Sequence, residues 1–87
     1  MNDKEQMMSL LSDIIAKQAI ILGPDIAIMK ARSVKGISVT DDGKVTSIDG
    51  DQQAVVRELI DAYVSLSGQI VKNTIEPIFA KYPGIKS

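Results

Sequence analysis

Four aspartates fall between residues 41 and 51, in the stretch "DDGKVTSIDGD". Carboxylates crowded in this way are what a hard cation such as calcium requires. Asp49-Gly50-Asp51 superficially matches the opening of an EF-hand loop, but the register then fails. It places Ala54 where the invariant glycine belongs and Ile60 where the bidentate glutamate belongs. Turn and cap chemistry accounts for the same residues. Asp41-Asp42-Gly43-Lys44 is a tight hairpin turn, because Asp-Gly tolerates the positive φ angles such turns impose. Asp49 or Asp51, ahead of a long amphipathic run, suits a helix cap. No metal site is expected.

Other chemistry-bearing residues are few. Lys30, Arg32 and Lys35 form the only basic cluster, a possible contact for an anion or an acidic partner at a helix end. No Gly-rich phosphate loop or stacking aromatic accompanies them, and a solvated end complementing the helix dipole explains them equally. Glu58 and Asp61, three apart, share a helical face and could in principle do acid–base work with Asp25, yet no motif supplies a nucleophile or an oxyanion donor. The chain has no His and no Cys, so the commonest general base, the commonest metal ligand and the thiolate are all absent. No catalytic residue and no cofactor is expected.

The elements that must position these residues follow from hydrophobic spacing. Residues 3–22 read as a first helix capped by Asn2 or Asp3, with Met8, Leu11, Ile15 and Leu22 on one row and Met7, Ile14 and Ile21 beside it. Ser9, Ser12, Asp13, Lys17 and Gln18 supply its wetter side. Gly23-Pro24 ends that helix and opens a second, nearly apolar one over about 24–33, with Gly36 ending it. Ile37 and Val39 alternate with polar residues as a strand does, whereas Val45 and Ile48 break alternation and predict a bulge or a return strand ending near Ser47.

Residues 49–82 carry the longest helical signal. Val56, Leu59, Tyr63, Leu66 and Ile70 step by threes and fours, with Val55, Ile60, Val64, Val71 and Ile75 widening the stripe. Pro77 predicts a kink toward Asn73. Gly68 is unfavourable mid-helix, which points to a close backbone approach or to a local break. Tyr63 is expected to bury its ring and leave its hydroxyl at an edge. Ile78, Phe79 and Tyr82 read as a terminal anchor, and Tyr82-Pro83-Gly84 as the close of the fold.

The expected architecture is therefore a single α+β domain over residues 1–87: two N-terminal helices, a short β-hairpin and a long C-terminal helix, in the order α-α-β-β-α. A helix of 25–30 residues would be about 40 Å long, more than a hairpin and two short helices can cover. A second copy of the chain is the simplest cover, since two-fold homodimers are the commonest oligomers. Leu59, Tyr63, Leu66, Ile70 and Gly68 are the expected interface.

Composition narrows the remaining classes. Ten basic against eleven acidic residues give a net charge of −1, so no whole-molecule attraction to nucleic acid or anionic lipid is expected. The longest run of apolar residues is far shorter than the roughly 20 a membrane span needs. The opening "MNDKEQMM" lacks a basic segment followed by an apolar one, so a cytoplasmic location is expected rather than secretion.

The order "ILGPDIAIMKARSVKGISVTDDGKVTSIDG" followed by "LIDAYVSLSGQIVKN" resembles small uncharacterised bacterial modules, especially cyanobacterial ones. In these a helix breaks at a Gly-Pro before an apolar helix and a long helix closes the domain. Some such modules are similar to the tails of signalling proteins. The resemblance spans residues 20–75 and rests on Gly23-Pro24 and the Asp-Gly turn. It implies a regulatory or assembly role and carries over no catalytic residue. The expected function is thus a non-catalytic, homodimeric protein–protein interaction module. The alternative is a small-molecule or lipid binder with an apolar pocket between its helices.

Overall fold

A computed structural model describes residues 3–82 of the chain. The expected caps Asn2 and Asp3 and the closing residues Pro83 and Gly84 lie outside what it describes, apart from the backbone of Asp3. Four helices and two strands follow in the order α1 (Asp3–Leu22), α2 (Pro24–Arg32), β1 (Ile37–Val39), β2 (Val45–Ile48), α3 (Gln52–Ser67) and α4 (Gln69–Ala80). The fold is mostly helical with one small antiparallel sheet, an α+β arrangement.

α1 is the central element. Met7, Leu10, Leu11, Ile14 and Ile15 are buried along it, and α2, β2, α3 and α4 all pack against it. The stripe holds a polar surprise. Gln18, placed by its type on the wet side, is fully buried. Its Nε2 donates to Thr74 Oγ1 on α4 at 3.1 Å. The Thr74 hydroxyl in turn donates its single hydrogen to the Val71 carbonyl at 2.8 Å, so it can only accept from Gln18. That fixes the amide's orientation and leaves Gln18 Oε1 buried without a hydrogen-bond partner. Such an orphaned acceptor costs about 1–3 kcal/mol.

The hairpin forms where the alternating residues and the Asp-Gly turn place it. Ile37 pairs with Ile48, Ser38 with Ser47, and Val39 with Val45, which leaves Thr46 as an extra residue on the return strand. That bulge is why alternation fails in the sequence. It brings Val45 and Ile48, three apart, to the same buried face. The return strand runs on to Ile48, one residue past the expected end near Ser47. At the tip, Thr40 N–H donates to the Lys44 carbonyl (2.8 Å), Gly43 has φ 88°, and the Thr40 hydroxyl donates to the Asp42 carboxylate. The hairpin lies on α1: Val45 N–H donates to Ser12 Oγ at 2.9 Å.

The long C-terminal helix is not observed. The chain breaks at Gly68, whose φ of 65° and ψ of −133° no helix interior contains, and α4 starts immediately afterwards. An uninterrupted helix from Gln52 to Ala80 would be about 43 Å long. The molecule's largest extent is 30 Å. Instead α4 folds back, so that Ile60 of α3 and Ile75 and Phe79 of α4 line one cleft. The physical reason is coverage. Docked on α1 and α3, α4 buries Val71, Ile75 and Ile78 within the same chain. Pro77, the other candidate for the break, sits exposed inside α4 without ending it.

Candidate interaction surface

Two corners organise the helices. α1 turns into α2 at Gly23, and α3 turns into α4 at Gly68. Two hydrogen bonds tie these corners to each other. Gln18 joins the last turns of α1 to the start of α4. The Tyr63 hydroxyl, near the end of α3, donates to the Ala27 carbonyl near the start of α2 at 2.6 Å. All four residues lie within six positions of a corner glycine, so each bond links a helix entering or leaving one corner to a helix entering or leaving the other.

The large apolar side chains that reach solvent fall close to these two corners along the chain. Ile20 and Ile21 precede the first corner and Ile26 follows it; Leu66 and Ile70 flank the second. Met29, one helical turn beyond Ile26, is exposed as well. The row on α3 shows how this arises. Leu59 and Tyr63 are fully buried, whereas Leu66, next on the same row, is 45% exposed, because the chain has run out of covering elements at the corner. Ile70, just past the corner, is 56% exposed.

The five residues expected at an interface are therefore divided. Leu66 and Ile70 are on the surface with Gly68 between them, but Leu59 and Tyr63 belong to the chain's own core. Spacing alone puts all of them on one stripe; which part is covered depends on where α4 docks. The Tyr63 hydroxyl is buried with its ring rather than left at an edge. Sequence reasoning passed over Ile20, Ile21, Ile26 and Met29 as surface residues. The available signal was their position beside Gly23-Pro24, a corner that a compact core leaves uncovered.

The basic residues are placed differently from one another. Arg32 turns toward the hairpin, donating to the Val39 carbonyl (3.3 and 3.4 Å) and to the Asp41 carboxylate (2.7 Å). Lys30 is half-buried and Lys35 exposed. An anion binding at Arg32 would have to displace Asp41, whose fully exposed carboxylate is a weakly held, solvent-screened partner. Asp51 caps α3, accepting from Gln53 N–H at 3.0 Å, and Asp42 is held by Thr40, whose hydroxyl keeps that carboxyl below the usual range. Among the described residues, no group of three or more His, Cys, Asp or Glu could hold a metal ion. Nor is any described helix long and apolar enough to cross a membrane.

The clefts on the described surface are open to solvent. One of about 520 Å³ lies between α1 and the hairpin and is lined by Glu5, Ser9, Ser12, Asp13, Lys44 and Tyr82 among others. Its polar groups serve the fold. Ser12 Oγ donates to the Met8 carbonyl (2.8 Å) while accepting from Val45. Asp13 accepts from the Tyr82 hydroxyl (2.7 Å) and pairs with Lys81 (3.3 Å), which fastens the end of the described chain to α1. Matching against protein-family models, curated proteins and solved structures finds nothing similar to this chain.

The two tyrosines make stability sensitive to alkali. Burial pushes the Tyr63 phenol far above its ordinary range, and burial aided by the Asp13 carboxylate pushes Tyr82 up to about 12. Folding therefore favours the protonated phenols. Their contribution is complete below the unfolded value near 10 and is lost as pH rises through the folded values. Urea titrations should show stability falling from about pH 10 upward, and Tyr63→Phe, which cannot ionise, should show a shallower fall.

Proposed function

We propose that this chain is a non-catalytic protein–protein interaction module, with a regulatory or assembly role, that associates with a second copy of itself through the apolar side chains beside its two helix corners. The observation that carries this reading is the exposure of Leu66 and Ile70 on either side of Gly68, together with that of Ile21 and Ile26 on either side of Gly23. Large apolar side chains left exposed on a small domain mark an association surface. Its rim fits a protein partner better than nucleic acid, since the chain's charge is nearly balanced. The regulatory role extends what the sequence resemblance implies.

The ligand-binding alternative is less favoured, because a small apolar molecule asks for an enclosed space and the clefts are open. Sedimentation velocity tests the proposal. The wild-type chain should associate as its concentration rises from micromolar to hundreds of micromolar. Leu66→Glu combined with Ile70→Glu should remain monomeric, with a dimer dissociation constant raised by a factor of about 100 or more. Because both side chains are already wet, the double variant should keep its circular dichroism and its melting midpoint within a few degrees. A wild-type chain that stays monomeric throughout that range contradicts the proposal.

A further inference from the structure

Three features of the second corner bear on how two copies meet. First, the connection between α3 and α4 is a single residue, Gly68. Short connections held in unusual backbone geometry favour exchange of an element between copies over closure within one. Second, the row Leu59, Tyr63, Leu66 and Ile70 continues through Gly68 at the spacing of one helix, so the sequence is compatible with a helix that does not turn there. Third, α4 begins without a side-chain cap. A continuous helix would give the amides of Gln69 and Ile70 the carbonyls of Ser65 and Leu66 as partners, whereas the Val71 amide already donates to the Gly68 carbonyl at 3.1 Å.

We propose that Gly68 is a hinge, and that the dimer forms when α4 swings out and docks on α1 and α3 of a second copy in the place it occupies at home. The inference rests on the self-association proposed above and specifies its mechanism. The occupant is fixed by the structure itself. The groove that receives α4 already fits it, through Val71, Ile75 and Ile78 and the Gln18–Thr74 hydrogen bond. Opening also explains the exposed pair. In an exchanged dimer the two straightened hinges meet near the two-fold axis, where Leu66 and Ile70, now one turn apart on one helix, face their copies. The closed chain leaves them in water.

Gly68→Ala tests the hinge directly. At φ 65° and ψ −133° an L side chain is strained, although no atom lies within 4 Å of the added methyl, so the penalty falls on the closed form through the backbone alone. In a continuous helix Ala is favoured over Gly. Each chain contributes one hinge, so the dimer should tighten by a factor on the order of a hundred or more, read by sedimentation equilibrium. To see the exchange, Lys17→Cys and Asn73→Cys are introduced into the wild-type and Gly68→Ala chains. The natural sequence has no cysteine, and these exposed positions border one cleft between α1 and α4. A short bismaleimide should link two chains within the dimer fraction, giving a dimer-sized band on a denaturing gel. A dimer linked only within chains overturns the exchange and leaves self-association standing. A Gly68→Ala chain that is folded and monomeric overturns the hinge. Should that variant not fold, the wild-type dimer fraction, concentrated and then cross-linked, decides by the same band; absence of any wild-type dimer overturns both proposals.

Discussion

Tyr63→Ala should cost about 4–5 kcal/mol, enough to leave the domain largely unfolded at 37 °C. Tyr63 is the largest fully buried side chain, and it sits where α3 crosses α2. Truncation removes its ring contacts and opens a cavity in a core with few large residues, since the chain has no Trp and only one Phe. The hydroxyl can be separated from the ring. Tyr63→Phe keeps the ring and loses only the bond to the Ala27 carbonyl, a cost of about 1 kcal/mol. Urea denaturation of the two variants checks both values. Similar losses would mean that the hydrogen bond, rather than the packing, is dominant.

Gly36→Ala should be the most damaging change at any glycine, at about 2–4 kcal/mol. Gly36 joins α2 to β1 with φ 94°, which by itself disfavours a side chain by about 1–2 kcal/mol. The added methyl would also stand 2.6 Å from the Asp49 carbonyl oxygen and 3.2 Å from Val55 Cγ2. The first of these is backbone and cannot swing aside. Moving it disturbs the 2.6 Å bond from Asp49 N–H to the Gly36 carbonyl, which closes the base of the hairpin. Thermal melts should place Gly36→Ala well below Gly50→Ala. Gly50 also has positive φ, but nothing crowds its methyl position. Equal melting losses at the two positions would show that only backbone strain matters.

Much of the local structure was legible because local chemistry determined it. Gly23-Pro24 marks a corner wherever it falls between two helical runs. Asp42-Gly43 makes the hairpin tip, and the failed alternation at Val45 and Ile48 announced the bulge at Thr46. Of the two candidates Asp49 and Asp51 ahead of the amphipathic run, Asp51 is the one that caps α3. A local break at Gly68 was one of the two readings that glycine offered, and the chain does break there; the fold-back that follows was not legible, because hydrophobic spacing is the same on both sides of it. One glycine is compatible with a continuous helix or a reversal, and the choice is made by the groove on α1 and α3 that α4 fills.

The same tertiary choice explains the errors at single residues. Gln18 is buried because α4 lies over that face of α1, which residue type could not show. Within one closed chain Leu59 and Tyr63 lie in the core, while Leu66 emerges past the corner. Of the candidate site, spacing singled out Leu66 and Ile70 beside Gly68, but their placement on two different helices and their exposure were left to the fold.

The geometry at Gly68 underlies both the exposed pair and the proposed exchange, so it is best measured directly. Spin labels at Glu58→Cys and Glu76→Cys, both exposed positions, report the distance between α3 and α4 by pulsed dipolar spectroscopy. In a straight helix these positions are about 27 Å apart. At low micromolar concentration the distance distribution should peak well short of that value, because α4 folds back on α3. As concentration rises, a second population near the straight-helix distance should grow in step with the dimer. A single population near the straight-helix distance at every concentration would contradict the fold-back and, with it, the account of how this chain associates.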